Sequence, residues 1–249
     1  MERLTVGEYF DRAALGMGER EAVVCTDVQQ RWRYRDLHAH VTLVAKGLMG
    51  LGVDVGHHVA LFASNRVEWV LVQLAVAKVG AVLVPVDPAA GVDELAHVLA
   101  HSDAETLFLI DRVDEVGLYD VLAECCPELA KARPGHLSSR RFPLLKRVAL
   151  LGDAGRLPGT LTWSEVLAAG AGITDHLLRR RQDSLEPTDL ASIQYTAGTT
   201  GAVKGVELTH LSLVNDAVAV ADCMRLRRND RVCMPVSFAR PFGSVIGTL

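Results

Sequence analysis

The residues best suited to chemistry are Thr196, Thr199, Thr200 and Lys204, set among Gly198, Gly201 and Gly205 in Tyr195-Thr-Ala-Gly-Thr-Thr-Gly-Ala-Val-Lys-Gly205. Glycine tolerates positive φ and leaves no Cβ in the way, so such a loop can turn several backbone N–H groups toward one point. That makes an anion cradle. The threonine hydroxyls add donors, and lysine adds a mobile positive charge suited to phosphate. Residue order excludes two other cradles. A Walker loop needs Gly-x-x-x-x-Gly-Lys-Ser/Thr, whereas Lys204 follows Val203 and precedes Gly205, and no Gly-x-Gly-x-x-Gly is present for a dinucleotide. The alternative reading is a Gly/Thr-rich surface turn.

A cradle needs rigid elements on both sides. The apolar run 191–195 predicts a strand before it, and Thr209 predicts the cap of a helix after it, with Leu211, Val214, Val218 and Val220 as its apolar residues. Upstream, Thr5 and Glu8 have capping-box spacing. Strands are predicted at 21–25, 31–34, 59–63, 81–86 and 106–110, and helices around Leu37, Val41, Val44 and Leu48, over 67–78 ending at Gly80, and over 93–101. Gly50 and Gly52 supply the stop of the first of these helices. Strands alternating with helices of this length predict an α/β fold with a doubly wound, largely parallel sheet flanked by helices. The pattern loosens over 111–187, read as an irregular surface excursion with a returning strand at 146–151. The domain reading is therefore 1–110 as a first α/β subdomain, 111–187 as a connection, and 188–249 as the start of a phosphate-loop subdomain.

Composition narrows the class. With 249 residues, 49% of them hydrophobic, the chain can bury a sizeable core, and its net charge of −4 provides no global basic field for nucleic acid. Five cysteines without metal-ligand spacing read as reduced thiols in a cytosol-like compartment. No signal peptide or transmembrane segment is expected: the stretch 70–86 is interrupted by Gln73, Lys78 and Gly80. A soluble, cytoplasmic protein is expected, with no metal site in this segment. The basic runs 179–181 and 225–231 read as solvated helix ends or loops.

The stretch Tyr-Thr-Ala-Gly-Thr-Thr-Gly-x-x-Lys-Gly-Val-x-Leu-Thr-His resembles the phosphate-binding signature of the adenylate-forming, AMP-binding enzymes, which include acyl-CoA synthetases, adenylation domains of peptide synthetases and luciferases. Trp32-Arg-Tyr-Arg-Asp-Leu37, Val59-Ala-Leu-Phe-Ala-Ser-Asn65 with Glu68-Trp69, and Gly80-Ala-Val-Leu-Val-Pro-Val-Asp-Pro88 look like further landmarks of that family. Smaller motifs, among them Cys126-Pro-Glu-Leu129 and Leu157-Pro-Gly-Thr-Leu161, look most like the medium-chain acyl-CoA synthetase branch typified by acyl-CoA synthetase family member 2. The resemblance implies an ATP-dependent fatty-acid–CoA ligase for medium- to long-chain acids. It would use ATP with Mg2+ to form an acyl-adenylate, and coenzyme A to form the thioester. Thr196, Ala197, Gly198, Thr199, Thr200, Gly201, Ala202, Val203 and Lys204 would then hold the ATP phosphates, with Lys204 and Thr196 as the catalytic pair. His210 and Asn215 read at least equally well as packing residues.

The run Met234-Pro-Val-Ser-Phe-Ala-Arg-Pro-Phe-Gly-Ser-Val-Ile-Gly-Thr248 resembles the family stretch bordering the acyl site, which makes Arg240, Phe242 and Gly243 substrate-pocket candidates. Phe242 and Gly243 match the family pattern. Arg240 stands where the family usually has histidine, and Val203 where it usually has a proline that stiffens the turn before the lysine. The later family segments that hold adenine and ribose, and the mobile C-terminal domain with its catalytic lysine, have no counterpart in these 249 residues. The expectation is therefore an N-terminal portion of the large domain, inactive or incomplete by itself and served by a complementary C-terminal chain. Two other readings stand beside it: a non-catalytic nucleotide-binding remnant, and an adenylating enzyme for another carboxylic acid. For an amino-acid activator, Asp222 and Asp230 are the nearby carboxylates, and both read as structural.

Overall fold

A computed structural model describes residues 1–26, 28–153, 155–196 and 203–249. Helix α1 (Val6–Met17) starts at the expected capping box: Thr5 Oγ1 accepts from the Glu8 N–H at 3.2 Å, and the Glu8 carboxylate accepts from the Thr5 N–H at 2.7 Å. A two-stranded antiparallel ribbon follows, β1 (Glu21–Cys25) with β2 (Gln30–Arg33), then α2 (Tyr34–Gly50). Leu37, Val41, Val44 and Leu48 line the buried face of α2. Gly50 is its last helical residue, and the chain turns at Leu51 and Gly52.

Strand β3 (His58–Phe62), α3 (Val67–Val79), β4 (Val82–Val86), α4 (Val92–His101) and β5 (Thr106–Leu109) form successive strand–helix–strand units of a parallel sheet. Every residue of β4 and β5 is buried, the continuous apolar pattern of a strand covered on both faces. Helix α3 is buried all round apart from Glu68, because it lies against α1, α2, α7 (Asp175–Gln182) and the sheet. Its Lys78 is buried too, and pairs with Asp11 of α1 at 2.5 Å. Burial alone would raise the Asp11 carboxyl. Hydrogen bonds from His38, Lys78 and Gln182, with the Lys78 charge, outweigh it and bring it down to about 2.

The segment 111–187 departs from the expected irregular excursion. It contains a short hairpin of β6 (Arg112–Val113) and β7 (Val116–Gly117), helix α5 (Leu118–Cys125), strand β8 (Arg147–Leu150), α6 (Trp163–Ala169) and α7, with 3-10 turns at Pro127–Lys131 and Gly170–Gly172. Helix α6 has its own capping box, Thr162 with Glu165. Strand β8 is the expected returning strand. Beyond α7, β9 (Leu190–Thr196) and β10 (Lys204–Thr209) form a hairpin, followed by α8 (His210–Cys223) and α9 (Pro241–Ile246). The sheet order is β10-β9-β4-β3-β5-β8, parallel throughout except for the β9–β10 pair. No helix among the described residues is long and apolar enough to cross a membrane.

Candidate functional site: the carboxyl edge of the sheet

Parallel α/β sheets present ligand sites beyond the carboxyl ends of their strands. Strand β9 runs parallel to β4, so its last residue, Thr196, lies at that edge. A proline shapes this edge. The Val82 N–H donates to the His57 carbonyl ahead of β3, so in β4 the even-numbered N–H groups face β3 and those of Leu83 and position 85 face β9. Pro85 has no N–H to give, and the β4–β9 ladder is reduced to the single pair Leu83 with Ser192, reinforced by Ser192 Oγ donating to the Leu83 carbonyl at 2.9 Å. The carboxyl ends of the two strands are therefore not laddered to each other.

Of the nine phosphate-loop candidates, Ala197, Gly198, Thr199, Thr200, Gly201 and Ala202 lie outside the described residues. The other three form the two stems. Thr196 ends β9, Lys204 begins β10, and the two are directly opposed in the antiparallel register. Opposed residues share one face of a sheet. Both are exposed, so a hydroxyl and an ammonium project together next to the start and end of the Gly-rich run. The next pair is Tyr195 with Gly205. A Cβ at Gly205 would lie 2.9 Å from Ile193 Cγ2 and 3.4 Å from Tyr195 Cζ, so glycine leaves room for the tyrosine ring. Partial burial raises the Tyr195 phenol above its ordinary value. Strand β10 was absorbed into the loop at the level of sequence; it is held chiefly by pairing with β9, since half of its residues are exposed and none is buried.

Beyond β10, Thr209 caps α8 as expected, accepting from the Ser212 N–H at 3.2 Å. His210 is fully buried, and its Nδ1 accepts from the Val6 N–H at 3.3 Å. Burial pushes this imidazole down to about 4, against the opposing pull of Asp189 and Glu8. Asn215 bridges α8 to the N-terminus, accepting from the Glu2 N–H and donating to the Glu2 carbonyl, each at 2.9 Å. Both side chains tie α8 to the first residues of the chain. Asp230 caps its own turn by accepting from the Arg227 N–H at 2.7 Å.

The 234–243 segment is fastened to the carboxyl end of β3. Asn65 Nδ2 donates to the Val236 carbonyl at 2.8 Å, and Asn65 Oδ1 accepts from the Phe238 N–H at 2.7 Å. The Phe238 ring lies 5.4 Å from that of Trp69. Arg240 forms the N-terminal boundary of α9, where Pro241 fits the first turn. Its guanidinium pairs with Asp87 at 2.5 Å, immediately after β4. Gly243 is buried, and a Cβ there would lie 2.2 Å from the Ser237 carbonyl oxygen, so this glycine has a packing reason of its own. Phe242 is 55% exposed and faces away from the core. Thus Arg240 and Gly243 sit at the same edge as the β9 stem, and Phe242 is presented outward.

Sequence reasoning passed over two histidines of α4. His97 Nε2 donates to the Val203 carbonyl at 3.2 Å, and His101 Nδ1 lies 2.8 Å from the Tyr195 hydroxyl. Their spacing of four residues, which puts them on one helix face, was the available signal. Among the described residues no group of three His, Cys, Asp or Glu side chains is arranged to hold a metal ion.

Comparison with known proteins matches this architecture. The model of the AMP-binding enzyme family aligns with residues 10–249. YngI of Bacillus subtilis (strain 168), named provisionally as an acyl-CoA synthetase, is 40% identical over 245 residues, 98% of this chain and 44% of YngI. The human medium-chain acyl-CoA ligase ACSF2, mitochondrial, is 36% identical over 251 residues, 98% of this chain and 40% of its own length. Among solved structures, a long-chain-fatty-acid-CoA ligase (FadD1) of Archaeoglobus fulgidus superposes with a TM-score of 0.76 at 26% identity, covering 98% of this chain and 45% of that one. The chain thus spans less than half the length of these relatives. By the match over nearly all its residues, it belongs to the AMP-binding enzyme family.

Proposed function

We propose that the protein serves an ATP-dependent fatty-acid–CoA ligase, with the segment 196–204 holding the ATP phosphates. The observation that carries this reading is the pairing of Thr196 with Lys204 at the carboxyl edge of the sheet, on either side of the Gly- and Thr-rich run. In the first step the acid's carboxylate oxygen attacks the α-phosphorus of ATP, and the bond to the β,γ-pyrophosphate breaks. Negative charge then grows on the leaving pyrophosphate. In this reading Lys204 and the Thr196 hydroxyl, with N–H groups and hydroxyls of 197–203, stabilise it. In the second step the thiol of coenzyme A attacks the acyl carbonyl, the thioester forms and AMP leaves. Mg2+ would accompany ATP and offset part of the phosphate charge.

The acid is of medium to long chain in this reading, supported by the names of ACSF2 and the Archaeoglobus ligase. Arg240, Phe242 and Gly243 border the acyl site, where the Asp87 carboxylate offsets the Arg240 charge. Residues 188–249 begin the phosphate-loop subdomain, 1–110 form the first α/β subdomain and 111–187 connect them. Adenine and ribose contacts come from a complementary C-terminal portion, and the site of action is the cytoplasm. Val203 leaves the turn before Lys204 less constrained than proline would, so Val203→Pro is expected to tighten MgATP binding.

The test is pyrophosphate release from MgATP with a panel of fatty acids, with and without coenzyme A, alongside Lys204→Ala. Acid-dependent release that the substitution weakens supports the reading, and the panel ranks chain lengths. Release with amino acids or aryl acids only would move the substrate to another carboxylic acid. Nucleotide binding without release from folded protein would favour a non-catalytic remnant.

A further inference from the structure

Both stems of the Gly-rich segment are held by one face of one helix. Val203, on the β10 side, accepts a hydrogen bond through its carbonyl from His97 Nε2. Tyr195, on the β9 side, meets His101 Nδ1 through its hydroxyl. The two imidazoles stack on each other with centroids 5.4 Å apart and planes at 27°, and the Tyr195 ring stands edge-on to both. We propose that His97 and His101 form a clamp that sets the separation and register of the phosphate-loop stems, with His97 as a positioning residue for Lys204. The proposal rests on the reading of 196–204 as the ATP phosphate site.

The physical argument begins with what else holds these stems. Thr196 and Lys204 are exposed and no residue of β10 is buried, so hydrophobic burial holds the stems only through the half-buried Tyr195, Val203 and Leu208. The β4–β9 ladder is cut at Pro85, so the carboxyl end of β9 receives no ladder support from β4. Beside that packing there are the β9–β10 pairing and the polar contacts with α4. A carbonyl only accepts, so the His97 proton must sit on Nε2, and the bond fixes the peptide unit that joins Val203 to Lys204. A lysine is a mobile point charge, and its value to a phosphate depends on where its backbone is anchored. Tyr195 adds a second constraint: its ring crosses the space left by Gly205, so the hydroxyl reaches α4 only with β9 and β10 in the observed register.

The test uses the 249-residue chain with His97→Leu, which removes the donor, His97→Gln, which returns an amide donor, and Tyr195→Phe, which removes the hydroxyl. Amide hydrogen exchange over 203–206 and 195–196 reads the clamp directly, and MgATP titration calorimetry reads its consequence. Losing one net hydrogen bond corresponds to roughly a fivefold change. The expected result is exchange at 203–206 about fivefold faster in His97→Leu, MgATP affinity weaker by a similar factor, both restored in His97→Gln, and exchange in β3 and β4 unaltered. Tyr195→Phe is expected to quicken exchange at 195–196. Unchanged exchange in His97→Leu, or a His97→Gln variant that behaves like His97→Leu, would overturn the clamp. Faster exchange with unchanged MgATP affinity would overturn its role in positioning Lys204. If the wild-type chain binds no MgATP, the phosphate reading fails, while the exchange arm still decides whether the clamp exists. Should His97→Leu fail to fold, His97→Ala, which also removes the donor, takes its place in every comparison.

Discussion

The centre of the sheet and its carboxyl edge are held by different forces. Around β3, β4 and α3, Trp69, Phe62, Leu61 and Val72 are buried to 2% exposure or less, and position follows from close packing. At the edge, Thr196, Lys204 and Phe242 are exposed, and beside the partial packing of Tyr195, Val203 and Phe238 the chain is fixed by polar contacts: His97 to Val203, His101 to Tyr195, Asn65 to Val236 and Phe238, Arg240 to Asp87. A phosphate site has to be open to a charged ligand, so it cannot be positioned by burying its own residues. The molecule keeps the rigid and the accessible parts adjacent by hanging the second from the first.

Substitutions on the two sides should differ accordingly. Trp69→Ala is expected to cost about 4 kcal/mol in urea unfolding, the range for deleting a fully buried aromatic, while Phe242→Ala should cost under about 0.5 kcal/mol. A similar cost for both would erase the contrast. Next comes the buried ion pair. Asp11→Asn strands the Lys78 ammonium and is expected to cost roughly 3 kcal/mol, whereas the double replacement Asp11→Leu with Lys78→Met should cost less than Asp11→Asn alone.

His210 supplies a pH signature. Its folded value is depressed to about 4, below the 6.5 of the ordinary imidazole, so between those values the unfolded chain holds more protons. Stability is therefore full above about pH 6.5 and falls as the pH drops through 6.5 toward 4, by at most about 3 kcal/mol from this group. Urea midpoints measured across that window should fall in the wild type and fall less in His210→Phe. The smallest effect is expected at Arg240: with a half-exposed guanidinium, Arg240→Ala should change stability by less than about 1 kcal/mol, yet alter the ranking of acids in the pyrophosphate assay. A large stability loss there would make Arg240 part of the frame.

How much of this is legible in the sequence follows the same division. The buried strands β3, β4 and β5, and helices α1, α2, α3 and α4, are visible as apolar runs, a four-three-four spacing and a capping box, because burial constrains residue type. Strand β10 is not, since pairing with β9 places little demand on the side chains of an exposed edge. The helices α5, α6 and α7 are too short, at eight, seven and eight residues, for a spacing pattern to repeat, and the signal of α6 and α7 lies in caps: Thr162 with Glu165 was a readable capping box within a region whose prolines and basic residues suggested a loop. The Gly-rich run announces itself by composition. Its supports do not, because His97 and Asp87 become meaningful only when the fold brings α4 and the end of β4 beside residues more than a hundred positions away.

The account's central claim is that Lys204, anchored at the start of β10, contributes charge to a phosphate site. Titration calorimetry of MgATP into the wild-type chain and Lys204→Ala tests it most directly, with amide exchange confirming that β9 and β10 stay paired. The account predicts saturable binding in the wild type and at least about tenfold weaker binding in the variant, the loss appropriate to one charge-assisted hydrogen bond. Equal affinity in the two proteins, with the hairpin intact in both, would contradict it.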